Sequence, residues 1–125
     1  MNREEFIKYI AEIYGTDAEY PWDSAPMHAV FRHQSNRKWF ALLMRLPKNK
    51  LGLHDDTIID VLNLKCDPIL IGNLRNEKGF FPAYHMNKTN WITVALDGSV
   101  DENQIKWLLD LSFDLTDKQK NTLDN

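Results

Sequence analysis

The stretch Phe80-Phe81-Pro82-Ala83-Tyr84-His85-Met86-Asn87-Lys88-Thr89-Asn90-Trp91-Ile92-Thr93-Val94-Ala95-Leu96-Asp97-Gly98 decides the fold. It reads as two strand-forming runs hinged at Met86–Asn90. The first run carries aromatics and a proline. In the second, Ile92, Val94 and Leu96 point one way and Trp91, Thr93 and Ala95 the other. Asp97-Gly98 supplies turn chemistry, and a helical pattern follows. The hinge gathers His85, Asn87, Lys88, Asn90 and Trp91 into seven positions, the densest polar and aromatic cluster in the chain.

Upstream, Asp67-Pro68 marks a helix start, with Asp as N-cap and Pro at the first helical position. Leu70, Ile71 and Leu74 form its apolar stripe, and Asn76–Gly79 ends it. Before it, Ile58–Cys66 reads as a strand with Leu62, Leu64 and Cys66 on one side and Asn63 and Lys65 on the other. A long connection, 47–57, precedes that strand and spans a wide hairpin. Ala29–His33 and Lys38–Leu46 pair across Gln34-Ser35-Asn36-Arg37. In the second of these, alternation puts Phe40, Leu42, Met44 and Leu46 on one face. Trp39, Ala41 and Leu43 fall on the other, which is apolar too.

At the N-terminus, Asn2 and Glu5 form a capping box, Phe6, Ile10, Ile13 and Tyr14 an apolar face, and Gly15 a stop. The spacing predicts a helix over 3–14. Trp22 lies in an irregular segment and reads as a plug over a core edge. Asp101 caps a last helix, with Ile105, Leu108, Leu109 and Ser112 along one side and Trp107 and Leu111 widening it. The polar tail, 117–125, is expected to fray.

The order α-β-β-β-α-β-β-α with hairpin-type connections predicts an α+β protein: two layers, one antiparallel sheet of about five strands, three helices largely on one face. The opposite face, with Trp39, Ala41, Leu43, Trp91, Thr93 and Ala95, is expected to be open to a partner or a second copy.

The 125 residues fit a single domain, 1–125, and a hydrophobic fraction of 43% is that of an ordinary globular chain. A formal net charge of −3 argues against binding nucleic acid by bulk charge and leaves room only for a local basic patch. Cys66 is the single cysteine, so no internal disulfide forms, which suits a reducing cytosol. The charged start Met1-Asn2-Arg3-Glu4-Glu5 has no apolar signal core, and no run approaches a membrane span. A cytoplasmic location and no membrane partner are expected.

Chemistry is sparse. No Gly-rich run precedes a helix, so no nucleotide cofactor is expected, nor any other. His28, His33, His54 and His85 make no helical i,i+4 pair. His54-Asp55-Asp56 reads as a solvated loop rather than a metal site. The pair Cys66 and His85 is the one nucleophilic arrangement worth naming, and Cys66 reads better as a small buried hydrophobe. Asp67, Asp97 and Asp101 serve caps and turns. No catalytic residue and no enzymatic activity are expected. Nucleic-acid binding needs cations for phosphates and flat groups for bases. Lys65, His85, Asn87, Lys88 and Trp91 supply both. Arg37 and Lys38 at one hairpin tip, next to Trp39, and Lys48 and Lys50 on the long connection add two basic projections.

The sequence resembles the MmcQ/YjbR family of small bacterial proteins. The resemblance rests on Tyr20-Pro21-Trp22, Lys38-Trp39-Phe40-Ala41, Leu62–Pro68, Pro82–Lys88, Trp91-Ile92-Thr93-Val94, Leu96-Asp97-Gly98 and Ser112-Phe113-Asp114-Leu115. It runs through nearly the whole chain, and Pro82–Gly98 is its most specific part. It implies a two-layer domain similar to type III secretion chaperones, and DNA binding through a "double wing" of sheet and loops. Lys65, His85, Asn87, Lys88 and Trp91 match the family's most recognisable positions. Relatives often carry His where this chain has Asn90 and Tyr where it has Phe113, so neither a second hinge imidazole nor that hydroxyl is available here. Two explanations of the Asn-Lys-x-x-Trp turn stand side by side. In one, Asn87 accepts a tight backbone and Lys88 covers an aromatic ring. In the other, Lys88 and Lys65 meet on one surface and bind phosphate. The expected function is DNA binding without catalysis. The alternative is a module that binds a protein partner or itself through the open sheet face.

Overall fold

Asn2 starts the first helix as its side chain predicts: Oδ1 accepts the Glu5 N–H at 2.8 Å, and the Glu5 carboxylate takes the Asn2 N–H at 2.9 Å. Helix α1 (Arg3–Tyr14) ends at Gly15, whose φ of 64° only glycine adopts at little cost. The computed structural model describes residues 1–117. Strands β1 (Ala29–Arg32), β2 (Trp39–Pro47) and β3 (Ile58–Lys65) follow, with a 3₁₀ turn (Lys48–Leu51) between β2 and β3. Helix α2 (Pro68–Leu74) is capped by Asp67, which accepts the Ile69 N–H at 2.8 Å. Then come β4 (Phe80–Pro82), β5 (Trp91–Ala95) and α3 (Glu102–Thr116), capped by Asp101. Asp117 closes α3, and the rest of the expected frayed tail lies outside the described residues.

The five strands form one antiparallel sheet in the order β1-β2-β3-β5-β4. All three helices share one face of it. Phe6 and Ile10 of α1, Ile71 and Leu74 of α2, and Ile105, Leu108 and Leu109 of α3 close over Phe31, Leu43, Leu62, Leu64, Ile92 and Val94. Each fully buried side chain of this size contributes roughly 1.5–3 kcal/mol, so this layer holds the fold. The expected α+β architecture is the one observed.

Three details differ from the sequence reading. First, the β1–β2 register slips: Phe31 pairs with Ala41, but Arg32 pairs with Trp39. Phe40 is the extra residue of this bulge. It therefore joins Ala41 and Leu43 beneath the helices, and Trp39 moves to the face of Leu42, Met44 and Leu46. Strict alternation grouped Phe40 with Leu42, Met44 and Leu46, and so put Ala41 and Leu43 on the face opposite the helices and those three beneath them, the reverse of what is found.

Second, the other sheet face is covered rather than open. Trp22, Leu51, Tyr84 and Met86 pack over Val30, Leu42, Met44, Leu46 and Val61. Asn63 and Thr93 are fully buried beneath this loop layer, and Ala95 is nearly so. Of the residues expected on an open face, Ala41 and Leu43 lie under helices, and only Trp39 and Trp91 reach the surface, both half-buried. Trp22 is the expected plug. Third, two residues read as helix core are exposed: Ile13 of α1 at 57%, and Trp107, which does not widen the apolar stripe of α3, at 51%, while Leu111 packs on the core.

Candidate functional site

The bulge and the loop layer together shape one end of the sheet. There β1 ends, β2 begins, β3 ends and β5 begins. Arg32 pairs with Trp39 and lies over its ring, 5.7 Å from the centroid. Lys65 pairs with Trp91. Period-two alternation from Val61 and Asn63 puts Lys65 on the loop-covered face, and Trp91 shares that face with Thr93. Arg32–Trp39 and Lys65–Trp91 are thus two cation–indole pairs at one end of the sheet, on β1–β2 and on β3–β5.

Lys38 and Lys88 belong to the same end. Lys38 immediately precedes β2, and Lys88 sits in the turn before β5; both are exposed. Among the described residues, Lys38, Lys65 and Lys88 have no ion-pair partner. Arg32, Arg37 and Lys48 are occupied. Glu19 takes Arg32 at 3.2 Å and Arg37 at 3.0 Å. Lys48 lies between Asp55 at 3.8 Å and Asp97 at 3.7 Å. Lys48 and Lys50 also stand at the far end of β2, whose nine residues put roughly 26 Å between its ends. The two basic projections therefore cannot act on one short ligand together.

The hinge is built from beneath. Thr93 Oγ1 donates to Asn63 Oδ1 at 2.5 Å, Asn63 Nδ2 donates to the Tyr84 carbonyl at 2.9 Å, and the Tyr84 N–H donates back to Thr93 Oγ1 at 2.9 Å. Both backbone groups of Tyr84 are thereby fixed to β3 and β5. The next residue, His85, has φ of 58°, the left-handed region that a non-glycine residue enters only when its surroundings hold it there. Its ring stacks on Tyr84 with 3.9 Å between centroids and 18° between planes.

Asn87 has a structural role. Its Oδ1 accepts the N–H groups of Thr89 at 2.8 Å and Asn90 at 3.0 Å, and its carbonyl accepts the Trp91 N–H at 3.0 Å. The tight backbone of the hinge falls on His85, not on Asn87. Lys88 covers no ring among the described residues, where the cation–π contacts are Arg32 on Trp39 and Lys106 on Tyr9. Asn90 contributes its carbonyl, which accepts the Cys66 N–H at 2.9 Å. Phe113 packs against His33, Phe40 and Tyr14, so a hydroxyl is not needed for its place in the core.

Cys66 and His85 do not make a nucleophilic pair. Cys66 is buried on the helix side, and burial pushes its thiol up to about 11, while His85 is exposed across the sheet. The Asp55 carboxylate is bonded to Thr57 through its N–H at 2.8 Å and its hydroxyl at 2.6 Å, and it serves the β2–β3 connection.

Beside Trp39 lies a pocket of about 390 Å³. The buried Leu42 and Met44 line it together with Trp22, Trp39, Met86, His28, Ala25 and the exposed Ser24 and His85. The Trp22 and Trp39 rings meet edge to face, 5.8 Å apart at 88°. Sequence reading assigned no role to His28 or Met44, and did not see that Asn63 and Thr93 carry the hinge. One signal was available: each is an uncharged polar residue flanked on both sides by apolar ones, Leu62 and Leu64 in β3 and Ile92 and Val94 in β5.

The fold and this hinge define a small two-layer protein whose loop layer is fastened to the sheet by buried polar side chains. The YjbR family profile matches residues 11–115, and the chain belongs to that family. It is 43% identical over 116 residues to the Bacillus subtilis (strain 168) protein YyaQ, covering 93% of this chain and 98% of that one. A shorter match to Escherichia coli (strain K12) YjbR has 42% identity over 53 residues, 42% of this chain and 45% of the relative. A crystal structure of a Pseudomonas syringae protein superposes with a TM-score of 0.90 at 48% identity, covering 93% and 99% of the two chains. The Deinococcus radiodurans protein DR2400, with a domain of the DUF419 type, gives 0.72 at 26% identity, covering 95% and 80%. Among the described residues, no helix is long and apolar enough to cross a membrane.

Proposed function

We propose that the chain binds DNA, without acting on it chemically, through the end of the sheet that carries Trp39, Lys65 and Trp91, with Lys38 and Lys88 in the segments that lead into β2 and β5. The observation that carries this reading is the two cation–indole pairs, Arg32–Trp39 and Lys65–Trp91, each set in strand register at the same end of the sheet. Lysines attract phosphates and indoles offer stacking faces to bases, which is the pairing that nucleic-acid grooves use. The net charge of −3 opposes long-range attraction, so the contact is local. Three lysines neutralising three phosphates give a salt slope of roughly −2.7 on duplex and roughly −2 on single strands.

The test is fluorescence anisotropy with a labelled mixed-sequence oligonucleotide, as duplex and as single strand, from low to physiological salt. Binding with that slope, weakened by Lys65→Ala and Lys88→Ala, supports the reading. No binding of either form at low salt overturns it.

A second reading is a protein partner or a second copy of the chain. The closed loop layer removes the surface first expected for it, but Trp107, half-exposed on α3, favours a contact on the helix layer instead. Light scattering behind size exclusion separates the two: a dimer that Trp107→Glu dissolves supports this second reading, and a monomer in both argues against self-association.

A further inference from the structure

We propose that the pocket between His28 and His85 receives one unpaired base, so that the protein prefers single-stranded to duplex DNA. This rests on the DNA reading above and extends it from phosphates to bases.

The size fits. A pocket of about 390 Å³ is near the lower end of ligand sites, which run roughly 300–1,000 Å³. It has room for one ring system and its sugar. The walls fit too. Trp22 and Trp39 offer indole surface, and Met44 and Met86 offer thioethers, both good neighbours for a flat ring. No lysine, arginine or carboxylate lines it, so the part that enters is uncharged. His28 and His85 each carry ring nitrogens able to donate or accept, matching the mixed donors and acceptors on a base edge.

The geometry is also set in advance. His85 holds its left-handed backbone because Asn63 and Thr93 fix Tyr84 and because its ring stacks on Tyr84. A site fixed before binding loses less conformational freedom when it is filled. Trp39 joins the pocket to the basic end of the sheet, since it lines the one and lies under Arg32 and next to Lys38 in the other. A base reaches the pocket only when it is unstacked and unpaired, and that costs least in a single strand.

The test uses methyl NMR of ¹³C-methionine protein with adenosine as the probe. The chain has four methionines: Met44 and Met86 line the pocket, Met1 and Met27 do not. Millimolar adenosine is expected to move the Met44 and Met86 methyl signals and leave the other two in place. Ala25→Trp, which fills the pocket without touching a cation, abolishes the shifts. His85→Gly keeps the backbone comfortable at positive φ and weakens the response roughly three- to tenfold, the value of one hydrogen bond. No movement of Met44 and Met86, or equal movement of all four, overturns the proposal.

Oligonucleotide anisotropy separates its failure from that of the DNA reading. Equal binding of duplex and single strand, unchanged by Ala25→Trp, removes the pocket and leaves the lysine surface standing. No oligonucleotide binding, with Met44 and Met86 still responding to adenosine, removes the DNA reading and leaves a nucleoside site.

Discussion

Thr93 and Asn63 face each other across β5 and β3, and the threonine hydroxyl donates to the asparagine oxygen at 2.5 Å in the fully buried middle of the sheet. Between them they satisfy both backbone groups of Tyr84. A polar pair in an apolar sheet is costly unless every group is satisfied, and here the groups are satisfied by the loop that the pair holds down.

Thr93→Val tests that coupling. It keeps the shape and removes the hydroxyl, leaving the Tyr84 N–H and Asn63 Oδ1 without a protein partner. The expected loss is about 2–4 kcal/mol, read as a lower urea midpoint at unchanged slope. Amide exchange at Tyr84 should accelerate well before global unfolding. If stability falls but Tyr84 stays protected, the pair supports the sheet and not the hinge.

Asp60 serves two arginines of different standing. Arg3 is buried, places its Nε 3.2 Å from Asp60 Oδ1 and donates its Nη2 to the Met27 carbonyl. Arg45 is more exposed and meets both carboxylate oxygens, at 3.0 and 3.2 Å. Asp60→Asn strands a buried guanidinium and is expected to cost about 3 kcal/mol. Arg45→Ala removes a surface pair worth at most about 1 kcal/mol. Equal losses in chemical denaturation would contradict this division.

Much of the fold was legible because its signals are local. Asn2 with Glu5, Asp67 with Pro68, and Asp101 each mark a helix start by side-chain chemistry within a few residues. The faces taken by Ala41 to Leu46 were not legible, because a bulge depends on what the neighbouring strand does and alternation assumes there is none. The covering of the second face escaped for a similar reason. Trp22, Leu51, Tyr84 and Met86 lie in loops, whose path no periodicity records. Lys65 and Trp91, read by type, pair across β3 and β5, whereas Lys48 shows what residue type leaves out: it is basic, and two carboxylates already hold it.

His33 gives the fold a pH dependence. Its ring lies between Phe113 at 4.2 Å and Phe40 at 5.2 Å. Thr116 Oγ1 spends its proton on the Ser112 carbonyl, so at 2.7 Å it accepts from His33 Nε2. Burial lowers the imidazole below its ordinary value, and Asp117, the Phe113 carbonyl and Asp114 offset part of that. The unfolded chain therefore takes up a proton that the folded one resists. The stabilisation is complete above the unfolded value of about 6.5 and is lost as pH falls below it. Urea midpoints should drop between pH 7.5 and pH 5.5, and His33→Phe, which keeps the ring packing, should flatten that drop. An equal drop in the variant would assign it to other groups.

Gly79 is a backbone requirement. Its φ is 89°, and a Cβ there would collide with the Val100 and Ser99 side chains. Its carbonyl also accepts the Ala95 N–H at 2.9 Å where β4 begins. Gly79→Ala is expected to destabilise by about 1–3 kcal/mol through strain, seen in thermal or urea unfolding. A neutral result would mean that the β4 edge relaxes away from α3's leading turn at no cost.

Asn87→Asp separates structure from charge at the hinge. A carboxylate accepts the Thr89 and Asn90 N–H groups as the carboxamide does, so the turn and the unfolding midpoint should be kept. The same change puts a negative charge next to Lys88, where a phosphate would lie. On the DNA reading it therefore weakens oligonucleotide binding at low salt while leaving stability in place. Asn87→Ala should do the reverse at first: it removes the turn's acceptor, costs about 1 kcal/mol in the manner of a lost cap, and changes no charge. Lys88→Ala completes the set by lowering the salt slope by roughly one contact. If Asn87→Asp binds as well as the parent, the turn is scaffolding alone and Lys88 makes no phosphate contact.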